Sequence, residues 1–422
     1  MDNNSKEQFI VPEFGPLSGI RVITAGSIVA MPHAANMMAD FGAEVIHIER
    51  PKVGDTYRGL APFAEYKGKK VSTSWAQDAR NRLSMTLNLN LSIPEVKDIF
   101  LGLIKKADIF MENLVWLEKY GISDEMLMEV NPKLVIVHIS GYGRPQFGGI
   151  PEVCDRASYD MIGQAYSGFM HLNGDPEPSM PMLTKPWTND YISALHALFG
   201  ALAAYINAQK TGKGQVVDVA QFEANARILS DTFVSWTEAN VLRTRTGVKA
   251  AAFQPYGLFK TKDDRYVAIG AFGPAVYKRF IEALGLDVDY YNFKDCASSV
   301  EAVSSEKGRE LDRLTIKWVS ERTADEVVEH LAKFRVGCAK VNTAEDAVND
   351  KHWLDREDFI EYEDQTLGKT IKAFGIVPKF SETPGKVWRG APYLGQDNEA
   401  VLTKLLGYST EKINELKEKG II

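Results

Sequence analysis

The sequence predicts an α/β protein, a large Rossmann-like domain around a parallel sheet with a smaller α+β domain beside it. Three observations carry that reading. Over the first 140 residues, β-rich runs alternate with segments of helical spacing, the succession that produces parallel strands with right-handed crossovers. After about residue 215 the pattern changes to a hairpin followed by charged amphipathic helices. From about residue 345 the chain becomes rich in Gly, Pro and aromatic residues before closing on a helical stretch.

Taken in order, "GIRVITAG" (19–26) is a short strand, and "PHAANMMADFG" (32–42) has helical spacing and stops at a glycine. "AEVIHIE" (43–49) and "RLSMTLNL" (82–89) are the next strands. "IPEVKDIFLGLIKKA" (93–107) repeats apolar residues every three or four positions, as an amphipathic helix does. "DIFME" (108–112) and "KLVIVHIS" (133–140) are further strands. "LTKPWTNDYISALHALFGALAAY" (183–205) reads as a buried helix of small and apolar residues, with Asn189 and Asp190 at its front edge. "YGLFKTKDDRYVAIGA" (256–271) is a hairpin with Asp263 and Asp264 at its turn. "RELDRLTIKWVSER" and "ADEVVEHLAKF" are amphipathic helices, the Gly- and Pro-dense stretch from Pro378 to Gly395 suggests a segment wrapped over a surface, and "STEKINELKEKG" closes the chain as a helix.

Bulk properties remove several function classes. With 422 residues there is length for two or three domains. A formal net charge of -7 gives no support to nucleic-acid binding. The N-terminus lacks the basic and apolar regions of a signal peptide. No apolar run is expected to reach membrane-spanning length, because the helix at 191–205 is interrupted by His196. Cys154, Cys296 and Cys338 lie far apart and fit a reducing, cytoplasmic setting. None of the seven histidines has a metal-site spacing, so no metal is expected.

Four places could carry chemistry. The turn "TAGSIVAMPHA" joins a strand to a helix through Gly26, a geometry able to cradle a phosphate, and Glu49 ends the next strand, where a dinucleotide-binding fold puts its ribose acid. The G-x-G-x-x-G fingerprint is missing, however, which argues against a nicotinamide cofactor. Arg50, Lys52, Arg58, Lys67, Lys69, Lys70, Arg80, Arg82 and Lys119 gather in one domain of an acidic protein. They fit either an anionic ligand or a solvated surface. "GYGRPQFGG" follows a strand at the edge where open α/β sheets bind ligands, and most such loops are only turns. Asp190 could be a helix N-cap or an ionised nucleophile. A helix N-terminus favours the charged form in both cases, so the residues alone leave the two readings open.

Several stretches occur together and in order: "LSGIRVI", "MMADFGAEVIHIERPKVGD", "ADIFMEN", "NPKLVIVHISGYG", "YDMIGQAYSGFM", "KTGKGQVVDVAQFEA", "GCAKVNTAEDAVND" and "RGAPYLGQDN". As a set they resemble the class III CoA-transferases, from about residue 13 to the C-terminus, and are most similar to the L-carnitine and bile acid types. The resemblance implies that Asp190, in "TNDYISA", is the catalytic aspartate, although Ala194 stands where the family usually has glycine. It implies a covalent relay through an acyl-aspartyl anhydride and an aspartyl-CoA thioester, with acyl-CoA and a carboxylic acid as substrates and no tightly bound cofactor. The implied CoA contacts are Ser27, Val29, Ala30, Arg50, Arg82, Asn113 and Lys119, and between the last two this chain has only "LVWLE" where many members carry a longer insert. The glycine loop that shields intermediates in formyl-CoA transferase has no counterpart around "AAAFQPYG". The resemblance also implies an interlocked homodimer, whose large domain spans 1–215 and 350–422 and is joined by long linkers to a small domain at 216–349.

Two rival readings stay beside it. A 2-methylacyl-CoA racemase shares the fold and pairs its aspartate with the His of a "GHD" motif; here the triplet is Ser158-Tyr159-Asp160. A CoA-binding protein without catalysis is the other. For the substrate, the motifs point to carnitine, crotonobetaine or a related acid, whose trimethylammonium group would want aromatic faces. Trp187, Tyr159 and Tyr166 are the candidates.

Overall fold

The computed structural model describes residues 9–114 and 116–422 and divides them into two compact units. One is built from the chain up to Ser167, from Lys185–Ser230 and from Leu354–Ile422; the other from Gly168–Thr184 and Asp231–Trp353. Residues 216–230, expected in the smaller domain, belong to the first unit because a strand within them completes its main sheet. Residues 168–184 go the other way. Arg245 holds that stretch inside the second unit by donating to the carbonyls of His171, Asp175 and Ser179.

The first unit is organised by six parallel strands: β1 (Arg21–Ala25), β2 (Glu44–Glu49), β5 (Leu83–Thr86), β6 (Ile109–Glu112), β7 (Val135–Ser140) and β8 (Gln215–Ala220). The hairpin β3 (Phe63–Tyr66) and β4 (Lys69–Ser72) lies between β2 and β5 in sequence. The order across the sheet is β5-β2-β1-β6-β7-β8, so its six strands run 3-2-1-4-5-6, the doubly wound order whose chain direction switches between the first and fourth strands. β1, β2, β6 and β7 are buried along their whole length, as expected of a parallel sheet covered on both faces.

Alternation along each strand assigns the faces. Val22, Val45, Met111 and Val137 point to one side, where they pack with α1 (Ala30–Asp40). Ile23, Ile46, Phe110 and Ile136 point to the other, against α3 (Pro94–Lys105) and the C-terminal helices Asn398–Lys404 and Thr410–Glu418. The short helices α2 (Thr73–Asp78), α4 (Asp124–Val130), α5 (Pro151–Cys154) and α6 (Asp160–Tyr166) occupy the connections. A long helix, α7 (Thr188–Thr211), and the short α8 (Gln221–Ala226) flank β8.

Helix α7 departs from the sequence reading in two ways. It is long and apolar enough, by length and composition, to cross a membrane, contrary to the expectation that no run would be. It is also buried on one face only. Ala194, Ala197, Ala201, Ala204 and Ala208 recur at helical spacing and are all buried, and their small side chains bring α7 close to β7, β8 and α1. Gly200 belongs to the same approach: a Cβ there would lie 2.7 Å from Val217 Cγ1. The opposite face leaves Leu195, Phe199 and Ile206 exposed.

The Gly- and Pro-rich tail does wrap, and it closes the free edge of the sheet. Asn81 donates its amide to the Lys386 carbonyl at 2.8 Å and accepts from Trp388 N at 2.9 Å. Ser84 N donates to Asp397 Oδ2 at 2.7 Å and Thr86 N to Asn398 Oδ1 at 2.8 Å, so side chains of the tail satisfy the donors of edge strand β5. The second unit holds a three-stranded antiparallel sheet of β9 (Tyr256–Lys260), β10 (Tyr266–Gly270) and β11 (Gly337–Lys340). Phe280, Leu311, Val319, Val327 and Leu331 from three helices cover it. A last hairpin of the first unit pairs β12 (Phe359–Asp364) with β13 (Lys369–Phe374).

Candidate active site

The connection from β7 to β8 returns through α7, which runs against the strands. The start of α7 therefore lies at the carboxyl edge of the sheet, the edge at which open α/β folds bind ligands. Trp187 is the residue before the helix, at φ +42°, and contributes no side-chain cap. Asp190 is thus the third residue of the helix rather than its cap. The capping is done from another element: Asp160, first residue of α6, accepts from Asn189 N at 2.7 Å and from Asp190 N at 3.3 Å through Oδ1. Its Oδ2 accepts from Gln164 Nε2 at 2.8 Å. A carboxylate in this position stabilises a helix start by about 1 kcal/mol through hydrogen bonding, with a further contribution from the helix dipole.

Because Asp160 takes the helix donors, the side chain of Asp190 is free to do something else. It is buried, 8% exposed. Oδ1 accepts from Gln221 Nε2 at 2.5 Å, and among the described residues Oδ2 accepts no hydrogen bond. Burial first, and then the charge of Asp160, push the Asp190 carboxyl up to about 7, against the single lowering contribution of Gln221. Burial raises Asp160 as well, offset by the two helix N–H groups and Gln164.

Two glycines make the close packing possible. A Cβ on Gly163 would come within 2.0 Å of Asn189 Nδ2, and one on Gly141 within 2.1 Å of Ser158 Cβ. Ser158 in turn donates to Gln221 Oε1 at 3.4 Å. The amide of Asn189 is fully buried, with no hydrogen-bond partner among the described residues.

At the switch point between β1 and β6, Asn113 and Ser27 form a reciprocal pair. Asn113 Oδ1 accepts from Ser27 N, and Asn113 Nδ2 donates to Ser27 O, both at 3.0 Å. Ile28 N donates to Asp55 Oδ1 at 2.9 Å. The N–H groups of Ser27 and Ile28 are therefore occupied within the fold. Ser27 and Arg50 do line a cavity of about 450 Å³, together with Gly54, Thr56, Leu89 and Tyr120. Val29 and Ala30 are buried away from it: Val29 packs with Tyr57 and Trp75, and Tyr191, the neighbour of Asp190, joins the same cluster. Lys119 is exposed, its Nζ 4.2 Å from the centre of the Trp116 ring.

Three of the gathered arginines are buried or paired within the fold. Arg82 is fully buried, 5.2 Å from the Trp75 ring. Its Nη2 donates to Asp78 O at 2.9 Å, while Nε and Nη1 have no hydrogen-bond partner among the described residues. Arg80 is bound to Asp40 at 2.7 Å, and Arg58 to Glu49 at 2.7 Å. Glu49 also lines the cavity and accepts from Asp55 N, Arg58 and Ser84. Burial opposes its charge, yet Arg58, His47 and Ser84 hold its carboxyl down at about 2.

The three aromatic candidates, Trp187, Tyr159 and Tyr166, are all exposed in the first unit. Tyr159 and Trp187 immediately precede the two helices joined by Asp160. Tyr166 packs edge-on against Tyr142 at 4.9 Å and Phe222 at 5.1 Å. Asp160 and Gln221 were not singled out as site residues by the sequence. Asp160 is visible there only as the last residue of the triplet compared with the racemase motif, and Gln221 only as a polar residue in "VDVAQFEA".

Residues 17–398 match the family described as CoA-transferase family III. The bile acid CoA-transferase BaiK of Clostridium scindens is 38% identical, over 97% of this chain and 90% of its own. An L-carnitine CoA-transferase of Proteus mirabilis is 33% identical over 98% of both chains. The succinyl-CoA–L-malate CoA-transferase alpha subunit of Chloroflexus aurantiacus is 33% identical over 96% of this chain and 92% of its own. Among solved structures, a CAIB/BAIF family protein from Brucella suis superposes with a TM-score of 0.79 at 24% identity, covering 93% of this chain and 100% of that one. That likeness shows the fold.

Removing the charge of Asp190 has a signed consequence for stability. Its carboxyl titrates near 7 in the folded chain and near 4 when unfolded, so the folded state holds the proton more tightly and stability falls as pH rises between those values. Asp190→Asn should therefore unfold at higher urea than the parent at pH 8, by on the order of 2–4 kcal/mol, and at the same urea at pH 4. Equal midpoints at pH 8 would show that the carboxylate is not under this strain.

Proposed function

The chain belongs to CoA-transferase family III, and we propose that it moves CoA from an acyl-CoA thioester to a free carboxylic acid through covalent intermediates on Asp190. The supporting observation is a buried carboxylate at the carboxyl edge of the sheet, relieved of helix capping by Asp160 and open at one oxygen.

Ionised Asp190 attacks the donor carbonyl and forms an acyl-aspartyl anhydride, releasing CoA thiolate. The thiolate returns to the aspartyl carbonyl, the donor acid leaves, and an aspartyl-CoA thioester remains. The acceptor acid then retraces the sequence. Covalent relay divides one difficult exchange into easier steps, and one thioester replaces another, so the exchange needs no separate energy source. Burial of Asp190 supports it twice, since it keeps water from both reactive intermediates and leaves the carboxylate weakly solvated.

On the CoA side, Ser27 and Arg50 face the 450 Å³ cavity and are the proposed ligand contacts, with Asn113 holding the loop that presents Ser27. Val29 and Ala30 would act through packing. For the acid, carnitine, crotonobetaine or a related trimethylammonium acid is the proposed class, supported by the L-carnitine relative and by the exposed rings of Trp187 and Tyr159 beside the start of α7. A homodimer is part of the same reading, supported by the uncovered apolar face of α7; sedimentation equilibrium at micromolar concentration tests it. The three free thiols accord with a reducing, cytoplasmic setting.

The test is a panel of acyl-CoA donors and acceptor acids followed by mass spectrometry. The parent should exchange CoA, with kcat/KM rising to a plateau above pH about 7 as Asp190 ionises. Asp190→Asn should lose at least about 1,000-fold. Trp187→Ala should raise KM for trimethylammonium acids by about 5- to 30-fold, in line with a lost cation–π contact, and leave neutral acids unchanged. Near-normal transfer by Asp190→Asn would end the covalent reading, and equal effects of Trp187→Ala on both acid classes would end the aromatic one.

A further inference from the structure

The two oxygens of Asp190 are not equivalent. Gln221 Nε2 sits 2.5 Å from Oδ1, while Oδ2 accepts nothing among the described residues. The amide cannot turn round without loss, because Ser158 Oγ donates to its oxygen at 3.4 Å and an ionised carboxylate can only accept. The position of the amide is set by the fold: Gln221 opens α8 directly after β8, it is 7% exposed, and Gly141 leaves the room that Ser158 fills. Of the titratable groups on the elements packed around this point, Asp160 of α6 raises Asp190, and Tyr191 of α7 is itself raised in part by the charge of Asp190. Asp218 of β8 accepts from Arg144 N, Glu223 of α8 is exposed, and His33 of α1 lies against Asp78 and the Tyr191 ring.

We propose that Gln221 is a catalytic residue of the transfer: its amide reserves Oδ1 as the non-attacking oxygen and donates to the oxyanion that forms there when Cγ of Asp190 is attacked. The proposal rests on the covalent reading above. In the first step a lone pair of Oδ2 forms the bond to the donor carbonyl carbon, and the C–S bond breaks with its pair on CoA sulfur. The thiolate then bonds to Cγ and the carbonyl π pair moves onto Oδ1, where Nε2 already points. Collapse breaks Cγ–Oδ2, and the donor acid leaves as a carboxylate carrying that oxygen. The acceptor carboxylate next bonds to Cγ, again placing a pair on Oδ1, and expels the thiolate; its own oxygen becomes the new Oδ2. The thiolate finally takes the acceptor acyl group from that oxygen. No proton moves, so a neutral donor that stays in place is sufficient, and it acts by preorganised electrostatics.

This account distinguishes the oxygens isotopically. Oδ2 is replaced in every turnover and Oδ1 never is, as long as Gln221 prevents the carboxylate from flipping. The enzyme is turned over many times with an acyl-CoA and an acceptor acid carrying heavy oxygen at both carboxyl positions, and the peptide containing residue 190 is weighed. The expected result is one heavy oxygen on that residue. Gln221→Met, which keeps the length and removes the donor, should take up two and lose about 100-fold or more in kcat, with KM for acyl-CoA unchanged and the acid limb moved to higher pH. Gln221→Leu should agree with it. Two heavy oxygens in the parent, or a Gln221→Met enzyme with parental kcat and a single label, overturns the role of Gln221 while leaving the covalent relay standing. No heavy oxygen in the parent overturns the relay itself, and this proposal with it.

Discussion

The site depends on how the N-terminus of α7 is satisfied. A helix start presents donors that some acceptor has to meet, and Asp190, in the first turn, carries one of the carboxylates able to do so. The chain assigns the work to Asp160 from a different helix. That substitution leaves a carboxylate which, among the described residues, has a hydrogen bond on one oxygen only, in a buried position where its charge is costly. A second consequence is that two carboxylates stand close together, and their repulsion adds to the effect of burial. The capping of α7 thus falls to Asp160, and the Asp190 side chain takes no part in it.

The rest of the unit brings these groups to one place. The doubly wound order puts the ends of β1 and β6 beside each other, where Asn113 fixes Ser27, and puts the ends of β7 and β8 beside the start of α7. Alanines along α7 permit it to lie close to the sheet, and Tyr191 packs with Val29 behind the loop that follows β1. The loop that carries Ser27 and the start of the helix that carries Asp190 are thus tied by one small cluster. Glycines at 141 and 163 matter here for the space they leave, since a methyl group at either position would collide with Ser158 or Asn189.

Much of this fold was legible because it depends on local pattern. Strands such as "RVITA" and "EVIHIE" are short β-rich runs, and the amphipathic spacing of 93–107 marks its helix; the structure places each within a few residues. The extent of α7 was less clear: His196 reads as an interruption, yet its Nδ1 simply pairs with the Ile192 carbonyl one turn back. Charge was the poorest guide. Arg58, Arg80 and Arg82 look like an anion site in sequence, but their carboxylate partners Glu49 and Asp40, or the Trp75 ring, meet them through tertiary contacts that no local spacing encodes. For the same reason Asp160 and Gln221 could not be picked out, lying 30 and 31 residues from Asp190 on opposite sides in sequence. Asp190 stands out in sequence at the front of an apolar helix, as cap or nucleophile, and only the resemblance to a family favours the second.

The central claim is that the carboxyl carbon of residue 190 becomes bonded to the sulfur of CoA. Borohydride reduces an aspartyl thioester, or the anhydride that precedes it, to an alcohol and leaves a carboxylate intact, so it records covalent activation of this carboxyl. Enzyme incubated with acyl-CoA, quenched with borohydride and digested should show Asp190 converted to homoserine, and enzyme treated without acyl-CoA should show none. If transfer proceeds at its full rate while residue 190 is recovered only as aspartate, the covalent account is wrong.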